Sequence, residues 1–345
     1  MGEILLFVCT AAAAVGLLAF PADVSRCVNE GLDLCVHTLL PTLFPFMVLS
    51  GFLIRSGLVH RTSRRFEKIM FTVFHLPGTC VSPVLLGMLG GYPTGAKAAV
   101  TLYRSGLCSK RDAEHVLAFC NNCGPGFLIS SVGFGVFGDN NTGLLLFATH
   151  ITASLMTGIL LAPSGHTSNR PTTCVANIPH AGCSSFVCSV TDSAQSFLNL
   201  CAFVLCFSAM TGLIERTALP EILTAYLPFA EEVRRSLFLG LLEMTRGIFS
   251  LSSSDTGEQL ILAAALAGWG GLSVHCQVMS LLDGTDLSPA LYWKGKLLHG
   301  LLAASLTAAA AYGLSALWSA GGCLLLAILR DRPKKSSGKP LKSIV

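Results

Sequence analysis

The chain has 345 residues, 52% of them hydrophobic and only 12% charged, with a mean hydropathy of +0.64. Soluble domains carry about 25% charged residues, so this composition describes a membrane protein. The net charge of +4 comes largely from two short basic blocks and leaves no basic face to track a phosphate backbone, which excludes nucleic-acid binding. Fourteen cysteines are too few for a disulfide scaffold, and those within apolar runs, such as Cys9, Cys201, Cys206 and Cys323, read as reduced small hydrophobes.

Residues 4–20 form an apolar run with no basic leader region and no small-x-small cleavage motif, so the segment is expected to remain as a membrane helix rather than leave as a signal peptide. Uncharged runs of spanning length follow at 34–54, 69–96, 116–138, 142–163, 194–214, 259–282 and 297–329. At about 20 apolar residues per crossing, an all-α polytopic protein of about eight to ten membrane segments is predicted. Several runs make poor continuous helices. Pro41 and Pro45 interrupt the first, residues 87–97 read GMLGGYPTGAK, and residues 121–127 read NNCGPGF. Breaks at membrane depth leave peptide groups that lipid cannot satisfy. Each is therefore a kink, a loop between helices, or part of a wall around a protein-enclosed cavity, where half-helix ends can meet a solute.

Arg55, Arg61, Arg64, Arg65 and Lys68 form one basic block, and a tail carrying Arg330, Arg332, Lys334, Lys335, Lys339 and Lys342 forms the other; both are expected on the cytoplasmic side. The polar stretch 164–185, with Arg170 as its one basic residue, reads as a linker on the opposite side. Its neighbourhood holds Cys174, His180, Cys183 and Cys188, which can be drawn round a metal or into disulfides, but the pattern assigns no metal site. Cys120 and Cys123 make a lone CxxC in a Gly-Pro context and support neither a zinc site nor a redox motif. No HExxH, GxSxG or phosphate-binding loop is present, nor a pair of membrane aspartates, so an enzyme is not expected and no cofactor is assigned.

Set against itself at an offset of about 150 residues, the chain places LLGMLGGYPTG (85–95) opposite FLGLLEMTRG (238–247), and LFATHITASLMTGIL (146–160) opposite KLLHGLLAASLTAAA (296–310), which pairs His150 with His299. The identity is weak, yet paired breaks in two halves are a pointer to a binding site at a repeat interface. Charges deep in apolar segments cost about 2.5 to 3.5 kcal/mol each and need a reason. Glu243 and Arg246, three apart, share a helical face and are read either as a mutually neutralising pair or as solute ligands. Lys97 follows the GGYPTGA break and serves either as a donor to an anion or as a snorkelling surface residue. Asp33 reads as a solvated segment end. Asn121 and Asn122 flank the GPG break, as solute ligands or as caps. Ser273 and Gln277 share a face on a continuous helix while His275 points away; a break at Gly270-Gly271 would let all three line a cavity.

PTLFPFMVLSGFLIRSGL (41–58), GGYPTGAKAAVTLYRSGLCSKRDAEHVLAFCNNCGPGF (90–127), LEMTRG (242–247) and GGLSVHCQ (270–277) resemble the sporulation integral membrane protein YlbJ family, over about residues 31 to 299. Those proteins carry nucleoside-recognition gate domains related to those of nucleoside carriers. The resemblance implies an endospore-forming bacterium, a place in the cell membrane or the outer forespore membrane, and a role in moving dipicolinic acid. Family members often have Ser where this chain has Cys123, which speaks against thiol chemistry. The layout expected from the runs and the internal comparison is an N-terminal membrane helix (1–30), a gate-like repeat (31–163), a polar linker (164–190), a second gate-like repeat (191–330) and a basic tail (331–345); the linker and the tail lie outside the resemblance. Dipicolinate is a small planar dianion, so its site needs N–H donors and an apolar slot for the ring, and a single cation is an optional addition. Gly91, Tyr92, Thr94, Lys97, Asn121, Asn122, Gly124, Glu243, Arg246, Ser273 and Gln277 are the expected substrate-binding residues. Expected partners are that anionic solute, the lipid bilayer, and further copies of the chain or other sporulation membrane proteins. A nucleoside carrier and a non-transporting sporulation scaffold are the alternatives.

Overall fold

The computed structural model describes residues 2–56, 58–163, 183–227, 229–251 and 257–313. Cys174, His180 and the basic tail lie outside these residues, as do most of the linker and the last apolar run beyond residue 313. Among the described residues the chain is helical throughout, with no strand. α1 (Gly2–Ala19) is followed by α2 (Pro21–Asp33), which starts on proline, where a missing N–H is harmless. A π-helical stretch, Leu34–Leu39, then leads into α3 (Leu40–Arg55). That widened turn lies just ahead of Pro41, Pro45 sits inside α3 without ending it, and Pro21–Leu53 runs as one apolar helix that neither proline breaks. Asp33 stands at the surface, 2.8 Å from His37.

The run 69–96 does not cross as one span. α4 (Leu58–Phe74) ends before His75, which has a positive φ of 55°, and the next helical piece, leading into α5 (Val81–Gly90), is bent from it by 94°. Gly91, at φ +74° in the left-handed region, ends α5, and α6 (Thr94–Arg104) starts afresh. α7 (Lys110–Cys120) opens on a capping box between Ser109 and Asp112. It unwinds over residues 121–125 into a π-helical turn, Gly126–Phe134. α8 (Asn140–Leu160) is capped by Asp139; the Thr142 hydroxyl and the amides of Thr142 and Asn141 hold that carboxyl below the usual aspartate range.

The second part consists of α9 (Cys183–Ile214), α10 (Leu219–Thr224), α11 (Glu231–Leu242), α12 (Met244–Phe249), α13 (Gly257–Trp269), α14 (Gly271–Leu282) and α15 (Ala290–Tyr312). Among the described residues four helical stretches are long and apolar enough to cross a bilayer, or five with the bent pair counted as one span. The tally is smaller than the apolar runs implied because the breaks cut runs into half-length pieces. α5, α6, α7 and α11 have 10, 11, 11 and 12 residues, and at 1.5 Å per residue each covers about half of a 30 Å hydrocarbon layer. Large side chains such as Phe134 (65% exposed) and Leu198 (62%) point outward from these helices, as a lipid-facing surface requires.

α15 is the axis of the bundle and packs on α13, α8 and α7. The end of α7 is gripped closely: a Cβ on Gly87 would stand 1.6 Å from the Cys120 carbonyl oxygen, and one on Gly95 2.0 Å from it. Only glycine lets α5 and α6 close on that carbonyl.

Candidate substrate site

The helix breaks converge. Gly90, Gly91 and Tyr92 from the α5–α6 break, Cys123 and Gly124 after α7, Glu243, Met244 and Thr245 from the α11–α12 break, and Ser273, Val274 and Gln277 on α14 wall a narrow hollow of about 40 Å³. Leu39, Leu43 and Met47 of the long N-terminal helix, with Phe127, Leu200 and Val204, supply its apolar side. These breaks are buried within the bundle: Tyr92 is 7%, Cys123 1% and Glu243 2% exposed. Among the described residues neither the Ser273 hydroxyl nor the Gln277 side-chain oxygen has a hydrogen-bond partner. A buried polar group without a partner costs about 1 to 3 kcal/mol, which a solute or water in the hollow would offset.

Of the eleven expected site residues, Gly91, Tyr92, Gly124, Glu243, Ser273 and Gln277 line this hollow. Asn121 and Asn122 are fully buried at the end of α7, where the Asn122 amide donates to the Phe119 carbonyl at 3.1 Å. Thr94 is the first residue of α6, its hydroxyl 3.4 Å from the Gly90 carbonyl. Lys97 lies exposed on α6, 3.5 Å from the Ser196 hydroxyl, and so takes the surface alternative. Of the two alternatives for Glu243 and Arg246, the mutually neutralising pair does not form, and Arg246 does not reach the hollow. Glu243 occupies the N-cap of α12 and accepts from the amides of Thr245 (3.1 Å) and Arg246 (2.6 Å), because an extended residue at a helix start turns its side chain back onto the first amides. The Arg246 guanidinium points the other way, to Glu30 (3.0 Å), Glu215 (3.4 Å) and Thr211 (3.0 Å) in a separate charged cleft. No lysine or arginine lines the hollow among the described residues.

α14 is a continuous helix beyond Gly270, so Ser273 and Gln277 share the hollow face, and His275 faces away. Its Nδ1 lies 2.8 Å from the Tyr292 hydroxyl and its ring 4.3 Å from both Trp269 and Trp293. Cys120 and Cys123 are free thiols.

Directly behind Tyr92 lies a group that the sequence pattern passed over. Lys296 is 0% exposed, and its ammonium donates to the Tyr92 hydroxyl at 2.7 Å and to the Asn121 carbonyl at 2.9 Å. The Tyr92 hydroxyl in turn donates to the Ala267 carbonyl at 2.9 Å. His299, one turn along α15, sets its ring 4.3 Å from that of His150, tilted by 48°, and donates to the His150 carbonyl at 3.0 Å. Lys296 sits at the edge of the uncharged run 297–329 and reads there as a flanking charge. Its three-residue spacing to His299, the partner of His150 in the repeat comparison, was the available signal.

Residues 36–219, more than half of the chain, match the family described as Gate, nucleoside recognition. The chain belongs to this family. Among relatives of this Gate protein, the sporulation integral membrane protein YlbJ of Bacillus subtilis (strain 168) is 26% identical over 304 residues, covering 80% of this chain and 74% of that protein. No solved structure matches it. The family match, the relative and the apolar helices together make this Gate protein an integral membrane protein of the YlbJ kind.

Proposed function

We propose that the protein is a sporulation membrane carrier for a small organic anion, dipicolinate in particular, and not an enzyme. The carrying observation is the hollow where breaks from distant parts of the chain meet. Broken helices round a common cavity are how secondary carriers expose peptide dipoles to a solute. The reading takes the protein as two related, inverted repeats. The breaks at 90–94 and 242–244, those at 120–126 and 269–271, and the long helices bearing His150 and His299 recur at an offset of about 150 residues. In this reading the pyridine ring lies against Phe127, Leu39 and Met47, and the carboxylates take the Gln277 amide, the Ser273 and Thr245 hydroxyls and free amides near Gly91 and Gly124. The link to sporulation comes from the relative's name and from sequence resemblance.

A nucleoside is the second reading. Glu243 on the wall and the lack of a lining cation favour a neutral, hydroxyl-rich solute, and the family's description points the same way. Counterflow of dipicolinate and of uridine in proteoliposomes separates the readings. Dipicolinate exchange that uridine does not inhibit, weakened about tenfold by Gln277→Ala, supports the first. The reverse selectivity promotes the second, and no exchange of either leaves a scaffold.

A further inference from the structure

We propose that Lys296 is the proton site that couples this carrier to the pH gradient; the inference rests on the carrier reading above. A fully buried cation at the centre of a membrane bundle is costly and marks function unless an anion compensates it. Among the described residues no carboxylate lies within ion-pair distance of Lys296. Its partners are neutral: the Tyr92 hydroxyl, the Asn121 carbonyl and, at 3.4 Å, Nδ1 of His299. The titratable groups around it are Tyr92, Cys120 at the end of α7, Cys123 in the following break, His150 on α8, His275 on α14 and His299 on α15; Tyr292 on α15 is turned to His275. α13 contributes the Ala267 carbonyl, through Tyr92.

The geometry makes proton occupancy and solute occupancy consequences of one side chain. One face of Tyr92 lines the hollow, and its hydroxyl is held by Lys296. The same ammonium holds the Asn121 carbonyl, so one cation on α15 ties together the break after α5 and the break after α7. Unwound carbonyls of this kind coordinate the coupling cation in other carriers; here a tethered ammonium occupies such a carbonyl. Charged donors bind about twice as strongly as neutral ones, so loss of the proton loosens both ties. The acceptor is in place. His299 Nε2–H is committed to the His150 carbonyl, which leaves the Nδ1 lone pair facing Nζ. Transfer breaks one Nζ–H bond and forms one Nδ1–H bond, giving a neutral amine and an imidazolium, and water reaching the loosened break takes the proton on.

The test compares counterflow, which needs no driving force, with accumulation driven by an acid-outside pH gradient, using dipicolinate and uridine in proteoliposomes of the full chain. One pH unit corresponds to about tenfold accumulation for one coupled proton. Wild type is expected to reach that scale, and Lys296→Met to lose the response to the gradient. Lys296→Arg keeps a charged donor toward Tyr92 and Asn121 but cannot give up its proton, and is expected to lose the response as well, which a merely structural role would not produce. Counterflow in wild type that ignores the gradient overturns the proton site alone, as does a gradient response that survives in either variant. Absence of counterflow for both solutes overturns the carrier reading and the proton site with it.

Discussion

The break after α5 and the break after α11 open on the same hollow but are held by opposite means. The first relies on groups far away in sequence: Lys296 fixes Tyr92, while Gly87 and Gly95 let α5 and α6 close on the Cys120 carbonyl. The second holds itself, Glu243 capping the amides two and three residues ahead. A local cap keeps its geometry whenever the next helical turn exists. A distant tie depends on the whole bundle, and a change in one remote side chain can release it.

Substitutions at the two breaks can break or sharpen this contrast. The largest effect is expected at Gly87→Ala, where the new methyl would sit 1.6 Å from a backbone oxygen; the cost exceeds about 4 kcal/mol, and the variant should fail to give monodisperse protein on size exclusion. A well-folded variant would mean that the distant tie is not tight. Glu243→Ala removes a local cap and is expected to cost about 1 kcal/mol, read as a lower thermal midpoint in detergent with the Tyr92 side of the hollow undisturbed. An unchanged midpoint would show that the second break does not depend on its own carboxylate. Lys97→Ala, one turn beyond the first break but turned outward, should change stability by less than about 0.5 kcal/mol and leave solute affinity unaltered. A loss of binding there would return Lys97 to the site.

The breaks were legible in the sequence because clustered glycine and proline are the residues least able to continue a helix through an uncharged run, and residues such as Gly91, Gly124, Ser273 and Gln277 followed from them. The face shared by Ser273 and Gln277, with His275 opposite, was readable from helical spacing alone. Pro41 and Pro45 do not break the helix: a π-helical turn lies just ahead of Pro41, and α3 continues through Pro45. The Glu243–Arg246 pairing failed for a physical reason: spacing of three implies a shared face only if both residues are inside one helix, and Glu243 is the extended residue before it.

Composition and apolar run length by themselves determined that this is a helical membrane protein with interrupted segments, because lipid admits only helices and closed barrels, and unbroken apolar runs of about 20 residues lack the alternation of barrel strands. Tertiary structure alone decided which breaks share a cavity, that Arg246 and Lys97 turn away from it, and that Lys296 lies buried against Tyr92 and Asn121. Those outcomes depend on contacts between residues up to 219 positions apart, and long-range packing leaves no mark in local spacing.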